Sequence, residues 1–237
     1  MKHRSTSIFI IVSWLVTILV PIALSLGAVR IVPFPWYLNF EYHTPDFPVD
    51  SFGFTLADRL HYGRLAVNYL VNDAGPAYLG DLHFPTGQQT PPESCQFMND
   101  CTSLYNEREI QHMVDVKQTV QAALRVLYTS LGMLVVAAAW AWQAGWLDEY
   151  RHGLVRGGWL TLLLIGLILL MVIAAFEFIF VAFHEVFFQA GTWTFLYSDT
   201  LIRLFPERFW RDTFLMVGGL TAVLAFLVIF ITRRSSR

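Results

Sequence analysis

Residues 159–183 read WLTLLLIGLILLMVIAAFEFIFVAF and contain one charged side chain, Glu177. The hydrocarbon core of a bilayer requires about 20 apolar residues of helix, and this stretch meets that length. Three further stretches have the same character, at about 8–28, 119–142 and 214–231. We therefore predict four transmembrane helices.

The composition of the whole chain agrees with this prediction. Hydrophobic residues make up 55% of the 237 residues and charged residues only 14%, whereas a soluble domain carries about 25% charged residues. The aromatic share of 16% argues against disorder, and a net charge of −2 gives no basic field for nucleic acid. The predicted fold class is an all-α integral membrane protein, with residues 1–237 forming a single membrane domain.

Basic residues near the predicted spans give the orientation, because Lys and Arg collect on the cytoplasmic side. With both termini in the cytoplasm, the short inner segments contain seven of the sixteen basic residues: Lys2, Arg4, Arg151, Arg156, Arg233, Arg234 and Arg237. We therefore expect a multi-pass protein of the cell membrane with cytoplasmic N- and C-termini. A cleaved signal peptide is the alternative for the first span, but its apolar run exceeds the 7–15 residues typical of signal peptides.

This topology exports two segments, at about 29–118 and 184–212. The first is too long for a simple connector, so we expect it to form a mostly helical domain. Thr55 followed three residues later by Asp58 is typical of a helix start, and apolar residues continue the pattern to about Val71.

Two further features mark the first exported segment. Pro33 and Pro35 predict an extended beginning, since residues before proline avoid the helical region. Cys95 and Cys101 lie near each other on the oxidising side of the membrane. We therefore predict a disulfide between them.

His112 stands in EREIQHMVDVK, residues 107–117, just before the second span. On a helix, Glu109, His112 and Asp115 are three residues apart and nearly share a face. A carboxylate beside an imidazole raises its basicity and fixes its tautomer, which suits a general base. The alternative is a solvated, charged turn that precedes a membrane helix.

His184 stands in FHEVFF, residues 183–188, at the outer end of the third span. Glu177 lies on the same helical face about two turns deeper, where an unpaired carboxylate is costly. Arg125 in the second span is the obvious partner. Two interpretations fit this arrangement. The ion pair is purely structural, or it places charged groups directly beneath a reaction site.

Several established schemes do not fit the sequence. His184 and Glu185 begin like a zinc-protease motif, but Phe188 occupies the position of the second histidine. A metal held by His112, His184 and an acid lacks the usual ligand spacing, and we expect no cofactor. Since serine-hydrolase and nucleotide-binding motifs are absent too, acid–base chemistry on a lipid-linked substrate fits best.

The two histidine segments resemble those of one bacterial membrane family, the lipoprotein intramolecular transacylases. The resemblance extends over essentially the whole chain. It includes Trp193, SDTLI at 198–202 and LFPERFW at 204–210.

This resemblance implies a reaction on a diacylglyceryl lipoprotein that lies among the membrane lipids. The sn-2 acyl chain moves from the glyceryl group to the α-amine of the N-terminal cysteine, which gives the lyso form. The essential histidines of the family correspond to His112 and His184, so the active site is expected to be extracytoplasmic. His112 is then the base, supported by Asp115 or Glu109, and His184 the acid or oxyanion donor, or the two roles are exchanged.

Two other functions remain open at this point. One is a non-enzymatic membrane protein whose exported loop binds a partner, with both histidines structural. The other is a different histidine-dependent acyltransferase or lipid hydrolase on the same scaffold. We expect His43, His61 and His83 to be non-catalytic loop residues, and the sequence indicates no oligomeric state.

Overall fold

The computed structural model describes residues 2–32 and 35–234, with side chains described from Ser7 onward. Within these residues the backbone forms nine helices: α1 (Lys2–Ile31), α2 (Pro35–Tyr42), α3 (Leu56–Val71), α4 (Ala77–Gly80), α5 (Pro92–Cys95), α6 (Glu107–Ala144), α7 (Leu147–Phe187), α8 (Thr200–Leu204) and α9 (Glu207–Arg234). The described chain has no strand beyond an isolated bridge between His83 and Ser103.

Four of these helices, α1, α6, α7 and α9, are long and apolar enough to cross a membrane. They confirm the predicted all-α membrane class with four spans. Helices α6 and α7, with 38 and 41 residues, extend well beyond the apolar stretches that predicted them. Helical hydrogen bonding continues wherever the backbone permits, whereas the sequence prediction ends where the apolar composition ends.

The turn between α6 and α7 is correspondingly tight. Gly145 adopts a left-handed conformation with φ of 73°, and Trp146 N–H donates to the carbonyl of Ala141 over 3.0 Å. This is the usual termination of a helix by glycine. Most of the predicted inner loop therefore belongs to α7.

The backbone divides into two compact units. The bundle unit consists of the described residues up to Val32, Ala123–Ala174 and those from Phe214 onward. The loop unit consists of the described residues of 33–122 together with Ala175–Thr213. Within α7 the backbone is non-helical at Ala175, with φ of −154° and ψ of 58°.

Small residues let α1 and α7 approach closely within the bundle unit. A Cβ atom added to Gly157 would lie 2.6 Å from Cβ of Val20 and 2.9 Å from the carbonyl oxygen of Thr17. Arg156 donates to the hydroxyls of Ser13 and Thr17 over 2.8 and 3.3 Å. Close backbone packing and interhelical hydrogen bonds are the usual means by which membrane helices associate.

In the loop unit, α3 begins as the sequence predicts. Asp58 N–H donates to the Thr55 hydroxyl over 3.2 Å, and Thr55 N–H donates to the Asp58 carboxylate over 2.8 Å. This reciprocal cap confirms Thr55 as the residue that precedes the helix.

The predicted extended beginning of the loop is wrong at Pro35, which starts α2. Proline is well tolerated at the first helical position because that residue needs no amide donor there. The prediction is wrong at Trp36 as well, which also belongs to α2, and residues 33 and 34 lie outside the described part of the chain.

We expect Gly157→Ala to destabilise the protein, because the added methyl group would clash with α1. Overpacking of this kind costs about 1–3 kcal/mol. Gly166→Ala in the same helix is the matched control, since a Cβ there meets no atom within 4 Å. Thermal unfolding in detergent should show a lower midpoint for Gly157→Ala alone; equal midpoints would contradict the close packing.

A buried acid in α2 makes the stability of the loop unit depend on pH. Glu41 is 2% exposed, and its Oε1 has no hydrogen-bond partner among the described residues. Burial raises the pKa of Glu41 from 4.5 to about 7, and the negative charge of Asp212 adds to this effect. The folded protein thus holds a proton that the unfolded chain releases, so stability falls as pH rises from 4.5 through about 7.

Glu41→Gln imitates the protonated acid and should remove this contribution. We expect the variant to have a higher unfolding midpoint than the wild type at pH 8 and a nearly equal one at pH 5. Glu93→Gln, at an exposed position, serves as the control. If wild type and Glu41→Gln lost stability in parallel over this range, Glu41 would not be the responsible group.

Candidate active site

Helix α6 begins at the candidate site with a reciprocal cap around Asn106. Its side-chain oxygen accepts from Glu109 N–H over 3.0 Å, and Glu109 Oε2 accepts from Asn106 N–H over 2.9 Å. The second carboxylate oxygen of Glu109 accepts from Leu201 N–H, in the first turn of α8, over 2.7 Å. The start of α6 is thereby tied to α8, one turn before His112.

His112 and His184 lie face to face within the loop unit. Their ring centroids are 6.2 Å apart, and the ring planes differ by 20°. His112 is 8% exposed, whereas His184 is partly accessible. The structure therefore brings together the two histidines that the sequence singles out.

Aromatic side chains surround both imidazoles. The rings of Phe188 and Phe195 meet His112 edge-on, with centroids at 5.0 and 5.3 Å. Phe180 and Trp193 lie 4.1 and 4.9 Å from the ring of His184. These apolar neighbours lower the local polarity, which strengthens electrostatic interactions between the histidines and a bound group.

The tautomer of His184 follows from its hydrogen bond. Its Nδ1 lies 2.7 Å from the carbonyl oxygen of Phe180, one turn earlier in α7. A carbonyl oxygen only accepts, so Nδ1 carries the proton, and Nε2 of the neutral ring keeps a lone pair. His112 differs, because its buried Nδ1 has no hydrogen-bond partner among the described residues.

The other residues predicted for the site lie in different surroundings. Glu109 binds backbone amides, as described above, and shows no hydrogen bond to His112 among the described residues. Asp115 accepts from Gln111 on the surface of α6 over 3.1 Å. Arg125 belongs to the bundle unit and Glu177 to the loop unit, and their pairing remains a prediction.

Asp199 is a central residue that the sequence reasoning did not single out. Its side chain is 1% exposed and accepts from Asn106 Nδ2 over 3.1 Å and from Leu196 N–H over 2.8 Å. Arg108 lies 3.6 Å from its second oxygen. No local pattern indicates this role, because Asn106 and Asp199 are far apart in the sequence.

The two cysteines lie outside the histidine pair. Cys95 and Cys101 are joined by a disulfide, with Cα atoms 5.2 Å apart. Among the described residues, no group of three or more His, Cys, Asp or Glu side chains is arranged to hold a metal ion.

This geometry is suited to moving protons in apolar surroundings. One imidazole offers an acceptor nitrogen at a fixed orientation, and a second imidazole lies within reach of the same bound group. A pair of this kind can deprotonate a nucleophile and protonate a leaving group.

We expect Glu109→Gln to destabilise the loop unit, because an amide offers only one acceptor where the carboxylate serves two backbone N–H groups. An unsatisfied buried amide costs about 1–3 kcal/mol. Glu107→Gln, two residues earlier and exposed, is the matched control. Unfolding midpoints in detergent should fall for Glu109→Gln only, and an unaffected midpoint would show that the double acceptor contributes little.

One known protein family matches most of this chain. Residues 9–210 match the family described as lipoprotein intramolecular transacylase Lit. An uncharacterized protein of Aquifex aeolicus is 29% identical over 222 residues, which cover 93% of this chain and 92% of the relative.

Solved structures with the same fold come from Bacillus cereus. Its lipoprotein intramolecular transacylase Lit superposes with a TM-score of 0.74 at 21% identity, over 99% of this chain and 96% of that one. A variant of that protein, with a histidine replaced by alanine, gives a TM-score of 0.73 at 18% identity, over 98% and 96% of the two chains. Since the family profile matches most of its length, this chain belongs to the Lit family of lipoprotein intramolecular transacylases.

Proposed function

We propose that the protein is a lipoprotein intramolecular transacylase that forms lyso lipoproteins. Its substrate is a diacylglyceryl lipoprotein with a free α-amine, and the transferred group is the sn-2 acyl chain. The observation that carries this proposal is the pair of facing imidazoles, His112 and His184, with ring centroids 6.2 Å apart in a member of this family.

The reaction is the aminolysis of an ester within one molecule. The amine nitrogen attacks the ester carbonyl carbon, a tetrahedral intermediate forms, and its collapse breaks the bond to the glyceryl oxygen. Starting from the ammonium form of the amine, two protons leave the nitrogen: one is released before the attack, and the other ends on the glyceryl oxygen. Because amine and ester belong to the same substrate, proximity favours direct attack and no acyl-enzyme intermediate is needed.

We assign the base to His184. Its Nδ1 proton is engaged with the carbonyl of Phe180, so the lone pair of Nε2 is available to accept a proton from the substrate amine. The same hydrogen bond stabilises the imidazolium that results. This assignment gives His184 the role of base, which the sequence favoured first for His112.

Burial lowers the pKa of His112 to about 4, so its neutral ring donates a hydrogen bond to the departing glyceryl oxygen. The proton that this oxygen gains comes from the His184 imidazolium formed during the attack. The buried ring of His112, packed by Phe188 and Phe195, is held close to His184. Glu109 supports His112 indirectly, by fixing the helix that carries it.

The aromatic side chains around the two histidines limit hydrolysis, which is the competing side reaction. Water would compete with the amine for the ester and release a fatty acid instead of transferring it. A site lined by Phe180, Phe188, Phe195 and Trp193 limits that competition. The acyl chains and the surrounding lipids are compatible with the same apolar surface.

We further propose that the site faces the extracytoplasmic side, with both termini in the cytoplasm. The distribution of basic residues supports this orientation. A disulfide between Cys95 and Cys101 agrees with it, since disulfides persist in oxidising compartments.

The test uses a synthetic diacylglyceryl lipopeptide whose sn-2 chain is isotopically labelled, incubated with the purified protein in detergent. Intramolecular transfer conserves the total mass, so fragmentation must locate the label on the cysteine nitrogen. We expect His112→Ala and His184→Ala to lower the rate by at least about 100-fold, as befits loss of an acid or base.

His83→Ala is the matched control, because this exposed histidine pairs with Asp100 away from the site. It should retain the wild-type rate. If the cysteine nitrogen carries no label after incubation with folded wild-type protein, the proposed function is contradicted. Transfer of the label to an added amine, but never within the lipopeptide, would indicate a different acyltransferase.

A further inference from the structure

Trp193 presents a buried hydrogen-bond donor that the protein itself does not use. Its Nε1 is inaccessible to solvent and has no partner among the residues that the structure describes. An indole nitrogen can only donate, so no alternative role as an acceptor satisfies it. Buried polar groups are nearly always paired, because an unpaired one loses its hydration without compensation.

This donor lies beside the proposed base. The ring of Trp193 is 4.9 Å from that of His184, centroid to centroid, and inclined to it by 37°. His184 in turn faces His112 at 6.2 Å. A substrate ester in contact with His184 would therefore lie beside the indole ring.

The segment that carries Trp193 is held in place from both sides. Before it, Thr192 donates through its backbone N–H and its hydroxyl to the carbonyl of Gln189, over 3.2 and 2.9 Å. After it, the Asp199 carboxylate accepts from Leu196 N–H over 2.8 Å. The indole is thus part of an ordered turn, which is what a preorganised donor requires.

We propose that Trp193 is a further catalytic residue, whose indole N–H donates to the oxyanion of the tetrahedral intermediate. This inference rests on the proposed transacylase function. As the amine attacks, the carbonyl electron pair moves onto the carbonyl oxygen, and that oxygen accepts the hydrogen bond from Nε1. When the intermediate collapses, the carbonyl re-forms and the glyceryl oxygen leaves, while the indole keeps its proton throughout.

The decisive variant replaces Trp193 with β-(3-benzothienyl)alanine, which keeps the shape of the indole but has sulfur in place of N–H. Loss of one oxyanion donor lowers the rate of the chemical step by about 100- to 1,000-fold. We expect this loss in the single-turnover rate constant, with the KM for the labelled lipopeptide unchanged. The same replacement at Trp142, an exposed residue of α6, should have no effect.

The other outcomes are equally informative. A single-turnover rate constant within about twofold of wild type, or a change confined to KM, would overturn the inference and leave Trp193 a packing residue. Should the sulfur variant not fold, as judged by its unfolding midpoint and elution profile, Trp193→Phe is measured against the same criteria. If folded wild-type protein transfers no label, the proposed function fails, and this inference fails with it. If wild type transfers the label and the sulfur variant does so at the same rate, only this inference is refuted.

Discussion

The arrangement of the site depends on the carboxylate of Glu109, which accepts two backbone N–H groups from distant parts of the chain. One belongs to Asn106, at the start of α6, and the other to Leu201, in the first turn of α8. Because Asn106 also binds Asp199, these residues form one fully buried polar network. Such a network is stable only when its members are satisfied, so it specifies a single relation between α6, α8 and the turn with Trp193.

Much of this molecule can be predicted from local sequence. The four spans follow from apolar length, and the start of α3 follows from Thr55 and Asp58, because both signals depend on neighbouring residues. His112 and His184 stand out for a similar reason, as each is a titratable group beside a long apolar run. The helical start at Pro35 was missed, since the same residue type favours both extended backbone and a first helical turn.

The partners of these residues could not be predicted in the same way. Glu109 looked like a support for His112 because it is three residues away, yet its oxygens are taken by backbone amides. The importance of Asp199 depends on Asn106 and Leu196, one of which is remote in sequence. Hydrogen bonds between distant segments leave no periodic trace in a single sequence, so the polar network required a structure.

The disulfide between Cys95 and Cys101 lies next to this buried network. Ser94, next to Cys95, shares a hydrogen bond of 2.7 Å with Ser198, which precedes Asp199. The disulfide between Cys95 and Cys101 is therefore separated by only a few bonds from the carboxylate of Asp199, which holds the turn that contains Trp193. The disulfide and the buried carboxylate of Asp199 therefore belong to one connected set of contacts within the loop unit.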